Sequence, residues 1–275
     1  MIDPELIASD VARALAEDLG DGDRTAELIN PNEFLKTRVI CREYAVLCGQ
    51  AWFDETFRQL DDRFEINWLV SDGNPMQPDQ EVCTIEGPAR ALLSGERTAL
   101  NFLQTLSGTA SRTAEYVRAV NGTGVTILDT RKTLPGLRIA QKYAVTCGGG
   151  ANHRIGLFDA ILIKENHIAA AGSITAACTR AHADHPDVLL EVEVENLEQL
   201  SEALNAGAQR VLLDNFPLAL LREAVSDYSG KLGLEASGGI TLETIREVAE
   251  TGVDFISTGD LTKSVRATDF SMRYI

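Results

Sequence analysis

The chain has no excess of positive charge, no long apolar run and no metal-ligand spacing of cysteine or histidine. Lys and Arg number 25 against 41 Asp and Glu, a formal net charge of −16, and the isoelectric point lies near 4.7. That balance excludes general nucleic-acid binding, because a phosphate backbone demands a broad basic surface. No apolar stretch approaches the roughly 20 residues needed to span a bilayer. The opening "MIDPELIASDVARALAEDLG" reads as a capped amphipathic helix, not as a basic-then-apolar leader. A soluble, cytoplasmic protein is expected. The cysteines at 41, 48, 83, 147 and 178 are odd in number and form no CxxC, so reduced, packed thiols are expected. His182 and His185 lie in "RAHADHPD", a helix end running into a proline turn, and no zinc site is expected there.

A second scarcity is local. From Thr130 to Phe158 there is no acid, where about four would fall at the chain's average. Arg131, Lys132, Arg138, Lys142 and Arg154 all lie in this window. A lone Arg or Lys is ordinarily solvated charge. Here the missing acids and the interspersed Gly, Thr and His indicate a pocket for an anion. Arg forks bind carboxylates in a bidentate manner and Lys supplies a compact point charge. So much cationic capacity suits one ligand with several negative groups.

Hydrophobic content of 44% and charged content of 24% are ordinary for a globular protein. The length allows one large domain or two smaller ones. Helical patterns cover Pro4 to Leu19 and Gln50 to Leu60, and the segment from Phe64 to Arg90 reads as short strands separated by turns. Two further helical patterns, "LLSGERTALNFLQTLSG" and "TASRTAEYVRAV", are expected at the joint between two domains.

From Val125 the texture becomes an alternation of apolar runs ("VTILD", "AILIK", "VLLEVEVE", "RVLLDN", "LGLEAS", "VDFISTG") with helical stretches, most of them ending in Gly. Such units imply a parallel sheet, and their apolar strands favour a (β/α) barrel, short of eight units, over an open doubly wound sheet. Polar residues close these strands at nearly even steps: Lys164, Glu193, Asp214, Ser237 and Gly259. Each position is therefore a strand's C-terminal end, and in a barrel those ends converge on the face that carries the active site.

Two late loops suit phosphate. "ASGGIT" sets Ser237, Gly238 and Gly239 between a strand and a helix, and "STGDLTKS" does so around Gly259. Glycine lets backbone amides approach an anion, and a helix N-terminus adds partial positive charge. Beside them, Glu193 and Asp214 have three possible uses: holding Mg²⁺ directly or through water, binding sugar hydroxyls, or pairing with the cation island. Glu191, Glu193 and Glu195 share one strand face, and the spacing to Asp214 favours Glu193.

The segment "LDTRKTLPGLRIAQKYAVTCGGGANHRIGLFDAILIKENH" resembles the core signature of the quinolinate phosphoribosyltransferase family, also called carboxylating nicotinate-nucleotide pyrophosphorylases. "EDLGDGDRT", "SGERTALNFLQTLSGTA", "EVEVENLEQL", "VLLDNF", "EASGGI" and "STGDLT" extend the likeness over nearly the full chain. The resemblance implies an α/β fold: an N-terminal α/β sandwich domain over residues 1–108 and an incomplete (β/α) barrel over 109–265. A tail at 266–275 would pack back on the N-terminal domain. It implies a homodimer, open to higher assembly, with shared active sites. The reaction it implies joins quinolinate to phosphoribosyl pyrophosphate (PRPP) with Mg²⁺, giving nicotinate mononucleotide, CO₂ and pyrophosphate, a step of NAD biosynthesis.

By matching motif, Arg131, Arg154 and Lys164 would hold the two quinolinate carboxylates, and Arg97 would be lent by the neighbouring subunit. Lys132 and His153 would line the pocket, with Arg138 and Lys142 reinforcing its potential. Glu193 and Asp214 would handle ribose hydroxyls and Mg²⁺, and Lys132, Glu193 and Asp214 would form the catalytic group. Ser237, Gly238, Gly239, Gly259 and Lys263 would take the 5′-phosphate. "STGDLTKS" departs from the family at two places: Asp260 stands where a small residue is frequent and Lys263 where His is frequent. The competing readings are a molybdenum-operon relative with another substrate, a phosphoribosyltransferase using nicotinate, and a non-catalytic phosphate-ligand barrel.

Overall fold

The computed structural model describes residues 2–275, and its first helix is α1 (Pro4–Leu19). Asp3 caps it by accepting the Glu5 N–H at 2.9 Å, and Pro4 stands at its first turn, where a missing N–H costs nothing. Then follow β1 (Phe34–Cys41), β2 (Ala45–Val46), α2 (Gln50–Leu60), β3 (Glu65–Trp68), β4 (Pro75–Met76), β5 (Gln80–Pro88) and α3 (Ala89–Ala119). The two helical patterns after β5 are thus one continuous helix of 31 residues. Its Gly108 has a packing reason. A Cβ there would lie 2.2 Å from the carbonyl oxygen of Arg266, so the returning chain crosses α3 at backbone distance.

The later elements are β6 (Thr126–Leu128), α4 (Arg138–Cys147), β7 (Ala160–Ile163), α5 (Glu165–Ala171), α6 (Ile174–Asp184) and β8 (Leu189–Val194). After them come α7 (Leu197–Asn205), β9 (Arg210–Asp214), α8 (Leu218–Tyr228), β10 (Gly233–Ser237), α9 (Ile245–Ala249), β11 (Phe255–Ser257), α10 (Asp260–Lys263) and β12 (Phe270–Tyr274). They form two compact units. The first comprises residues 2–114, 134–149 and 264–275, and the second residues 115–133 and 150–263.

In the first unit an antiparallel sheet runs β12-β1-β5-β3, with β2 and β4 paired separately. The tail strand β12 lies along β1 from Thr37↔Tyr274 to Cys41↔Phe270. Apolar positions of β1 and β5 bury against α2 and α3, with Val39, Phe53, Phe57, Val82, Ile85 and Leu92 inaccessible. Phe53 packs edge-on against both Phe57 and Trp68, with centroids 5.2 Å apart in each pair. A second cluster joins Ile7, Val11 and Leu15 of α1 to Trp52 and Leu106. The cysteines are free thiols, all but Cys147 buried. Cys48, Cys147 and Asp72 place donor atoms within 4.8 Å of one another, but Asp72 is already engaged. Its oxygens accept the Gly49 and Gln50 amides at 3.0 and 3.3 Å and the Tyr143 hydroxyl at 2.9 Å.

In the second unit six parallel strands run β6-β11-β10-β9-β8-β7, with helices between successive strands from β7 onward. Ala151 bridges to Leu128 beside β6, while the outermost strands β6 and β7 do not pair with each other. The expected barrel is present in this open form. Among the described residues, no helix is long and apolar enough to cross a membrane.

Asp54 supplies a stability test. Its Oδ1 accepts the Trp68 indole N–H at 2.9 Å, yet burial outweighs this and raises its pKa from 3.8 to about 6. A folded-state value above the unfolded one means that the folded protein binds this proton more tightly. The Asp54 contribution to stability therefore improves as pH falls from about 7 to about 4 and is lost again as pH rises. Asp54→Asn keeps the acceptor and is expected to stabilise the protein at neutral pH by ~1–2 kcal/mol, discounted for partial exposure. Urea midpoints across this pH range check it, and a less stable variant at pH near 7 would exclude the assignment.

Candidate active site

Period-two alternation sets which strand residues face the interior of the second unit. On β8 the buried Leu190, Val192 and Val194 take one face, leaving Glu191 and Glu193 on the other. Parallel register aligns Ile163 with Val192, so Lys164, one residue past β7, comes level with Glu193. The Lys164 ammonium pairs with the Glu193 carboxylate at the rim. On the next strands Asp214 is level with Ser237, and the Ser257 hydroxyl donates to Ser237 Oγ at 3.1 Å. Strand ends from β7 to β11 thus present Lys164, Glu193, Asp214, Ser237 and, two residues past β11, Gly259.

The loops behind these ends interlock. Asn215, with φ of 55°, donates its side-chain amide to Asp214 at 2.8 Å and its backbone N–H to the Ser237 carbonyl at 2.9 Å. At Gly238 the φ is +100°, and a Cβ would meet Asn215 Oδ1 at 2.2 Å, so only glycine fits. Lys132 sits over Gly259, whose added Cβ would lie 3.0 Å from Lys132 Cδ, and Thr262 donates to the Lys132 carbonyl at 2.7 Å.

The helix expected directly behind "ASGGIT" begins only at Ile245, past a turn at Thr241–Thr244, and spans 5 residues. At that loop the donors available to an anion are backbone amides, not a helix end. By contrast α10 begins immediately after Gly259. Asp260, the unusual acid of that loop, accepts the Tyr116 hydroxyl at 2.9 Å, which occupies one of its oxygens. Lys263 is exposed at the end of α10.

Two cations lie within electrostatic reach of Glu193. Arg154 has its pKa lowered by burial and then by the neighbouring Arg131 cation, against the opposing pull of Glu191, Asp159 and Glu193. Arg131 Nε is a buried donor with no acceptor. Two adjacent guanidiniums, one with an unused buried N–H, form a site that an anion with more than one carboxylate would satisfy. His153 lies alongside. Its backbone N–H donates to Asp129 Oδ1 at 2.9 Å, and its Nδ1 accepts the Arg154 N–H at 2.8 Å.

The second unit therefore holds Arg131, Lys132, His153, Arg154, Lys164, Glu193, Asp214, Ser237, Gly238, Gly239, Gly259 and Lys263. Arg97, Arg138 and Lys142 belong to the first unit: Arg97 is exposed on α3, and Arg138 and Lys142 lie on α4, where Lys142 is buried. The cation island is thus divided between the units. Sequence reasoning missed Asp129, Arg210 and Glu235, which are polar residues of apolar strand segments. The available signal was a charged residue inside runs such as "LGLEAS", where burial of the whole strand leaves it no solvent.

An α/β protein with cationic, acidic and polar side chains gathered at the C-terminal ends of parallel strands is the class that fold and geometry define. Residues 23–107 match the quinolinate phosphoribosyl transferase N-terminal domain, and residues 109–273 match the C-terminal domain of the same family. The chain belongs to that family. It is 44% identical over 258 residues to the probable nicotinate-nucleotide pyrophosphorylase [carboxylating] of Bacillus subtilis, covering 93% of this chain and 89% of that one. It is 43% identical over 272 residues to the Mycobacterium leprae nicotinate-nucleotide pyrophosphorylase [carboxylating], covering 95% of each. The solved nicotinate-nucleotide pyrophosphorylase of Francisella tularensis superposes with a TM-score of 0.96 at 44% identity, covering 100% of this chain and 98% of that one.

The interlocked loops order two glycine substitutions. Gly238→Ala must displace Asn215 from Asp214, whereas at Gly239, with φ of +61°, an added Cβ meets nothing within 4 Å. Gly238→Ala is expected to cost about 2–4 kcal/mol, and Gly239→Ala only about 1 kcal/mol of left-handed strain. Urea denaturation of both variants measures the difference, and equal losses would exclude the Asn215 contact as its cause.

Proposed function

We propose that the protein transfers phosphoribosyl from PRPP to quinolinate with decarboxylation, yielding nicotinate mononucleotide, CO₂ and pyrophosphate. The observation that carries the reading is the Arg131–Arg154 pair, with its unused buried Nε, within electrostatic reach of Glu193 at a strand end. Quinolinate is a dicarboxylate, so Arg131, Arg154 and Lys164 each have an anionic oxygen to hold. Fixing both carboxylates orients the pyridine nitrogen toward C1 of the ribose. That orientation replaces a bimolecular search by a prearranged approach.

As pyrophosphate leaves, positive charge builds on the ribose ring, and Glu193 and Asp214 are placed to stabilise it and to accept ribose hydroxyls. The nitrogen lone pair forms the new bond to C1. When the 2-carboxylate departs as CO₂, the electron pair of the broken bond stays on that ring carbon, stabilised by the adjacent pyridinium charge, and the carbon then takes up a proton. Lys132, held against Gly259, offers its ammonium to the leaving phosphates. Backbone amides at Ser237, Gly238, Gly239 and Gly259, with Lys263, suit the 5′-phosphate.

The two rim carboxylates are hard oxygen donors, the donor set that Mg²⁺ takes together with substrate phosphates and water. When bound, Mg²⁺ would neutralise charge on the pyrophosphate group. The reading also includes a homodimer in which Arg97 completes the second subunit's site, while Arg138 and Lys142 reinforce the positive potential around Lys132 and His153. Leu157 and Phe158, 71% and 79% exposed on the loop after Arg154, favour coverage by a second chain.

Purified protein supplied with quinolinate, PRPP and Mg²⁺ is expected to release CO₂ and form nicotinate mononucleotide; absence of release would exclude the reaction. Arg131→Ala is expected to raise the quinolinate KM by at least about tenfold, the loss of one charge-assisted bond, with the fold intact. Wild-type kinetics in that variant would remove Arg131 from the site. Mixing Arg97→Ala with Lys164→Ala subunits is expected to restore partial activity, and no restoration would exclude shared sites.

A further inference from the structure

Four ionisable side chains in the interior of the second unit have no part in the reaction as derived. Glu191 on β8 and Glu235 on β10 are fully buried, and His153 is 9% exposed. Arg210, on the strand between the two acids, lies level with Glu191 and stacks its guanidinium over Phe255 at 4.1 Å. His153 Nε2 stands 2.9 Å from Glu191 Oε2 and 3.5 Å from Glu235 Oε2, and Arg210 Nη1 stands 3.5 Å from Glu235 Oε2. Among the described residues, no hydrogen bond of good geometry reaches any of the four carboxylate oxygens. Two such carboxylates are costly to bury unless cations or ring protons face them. Apolar side chains would fill the space more stably, so the cluster calls for a role.

The other side of the imidazole supplies one. Nδ1 accepts the backbone N–H of Arg154 at 2.8 Å, and a ring nitrogen that accepts carries no proton. The ring proton therefore sits on Nε2, the nitrogen that lies 2.9 Å from Glu191 Oε2 and 3.5 Å from Glu235 Oε2. Nδ1 is bonded within the protein, and Nε2 is buried against the two acids. Burial opposes charge on His153, while Glu191 and Glu235 favour it, and the net direction of its pKa is upward. Burial first, and then Glu191, pushes Glu235 up to about 7. A shared proton thus has two possible homes, and the Arg154 amide, which needs Nδ1 bare, leaves it on Glu235.

We propose that Glu191 and Glu235, neutralised from behind by Arg210, are positioning residues that hold His153 as its Nε2–H tautomer, and that His153 thereby fixes the Arg154 backbone at the pocket wall. The inference rests on Arg154 binding a quinolinate carboxylate. His153 serves the substrate through Arg154, not through its own nitrogens. The carboxylate layer sets the aim of a cation it does not touch.

Two measurements test it. In ¹⁵N-labelled wild-type protein, long-range ¹H–¹⁵N correlation is expected to show His153 with a bare Nδ1 and a protonated Nε2; a protonated Nδ1 overturns the proposal. Kinetically, Glu191→Leu is expected to raise the quinolinate KM about tenfold, the usual effect of orphaning a buried donor, with the PRPP KM unmoved. Glu191→Gln retains an acceptor oxygen and is expected to give a smaller rise. Combining Glu191→Leu with His153→Ala is expected to add nothing to His153→Ala alone. An unchanged quinolinate KM in folded Glu191→Leu, or equal rises in both KM values, overturns the proposal. Should Glu191→Leu fail to fold, Glu191→Gln and the tautomer decide. Arg154→Ala separates the two levels: a wild-type quinolinate KM there removes the carboxylate-binding reading, while the His153 tautomer still reports on the positioning.

Discussion

Parallel pairing from β6 to β11 is the constraint on which the site depends. In a parallel ladder every strand runs the same way, so every strand ends on the same side. One polar residue per strand end is then enough to build a ring of functional groups, with no long-range loop required to gather them. Lys164 level with Glu193 and Asp214 level with Ser237 are direct outcomes of that register. A slip of one residue on any strand would turn its polar end toward the helices and its apolar partner toward the ligand.

Depth along one strand separates two chemistries. Glu191 and Glu193 are identical side chains on the same face of β8, two residues apart. The outer one meets Lys164 at the partly exposed strand end, and the inner one meets His153 in the buried interior. The same gradient runs along β10 from Glu235 to Ser237. A charge near the rim can change partners when substrate arrives, whereas a buried charge holds one arrangement because every alternative leaves it unpaired. The strand ends thus carry an adaptable outer layer on a fixed inner one.

Much of this was legible in the residues. Helix α1 followed from Asp3, Pro4 and an amphipathic pattern, and the strand ends followed from the even spacing of Lys164, Glu193, Asp214, Ser237 and Gly259. The continuity of α3 was not legible. Its glycines resemble helix breaks, and Gly108 makes sense only once Arg266 is known to cross there. The cation island read as one patch because its members are neighbours in sequence, yet α4 carries Arg138 and Lys142 into the first unit. Glu235 was hidden for the opposite reason: its meaning comes from His153 and Arg210, which are distant in the chain and adjacent in space. Local chemistry showed what each segment offers, and only the register showed which offers meet.

The pairing of β12 with β1 has a consequence for synthesis. The first unit needs residues 264–275, so the whole second unit is made before the first can be completed. Domains commonly fold in the order in which they emerge from the ribosome. Here the outer edge of β1 stays unpaired until Phe270–Tyr274 arrives, and an open edge is a template for pairing with other chains. The first unit is complete only once β12 has been made, and until then the outer edge of β1 is open to other partners.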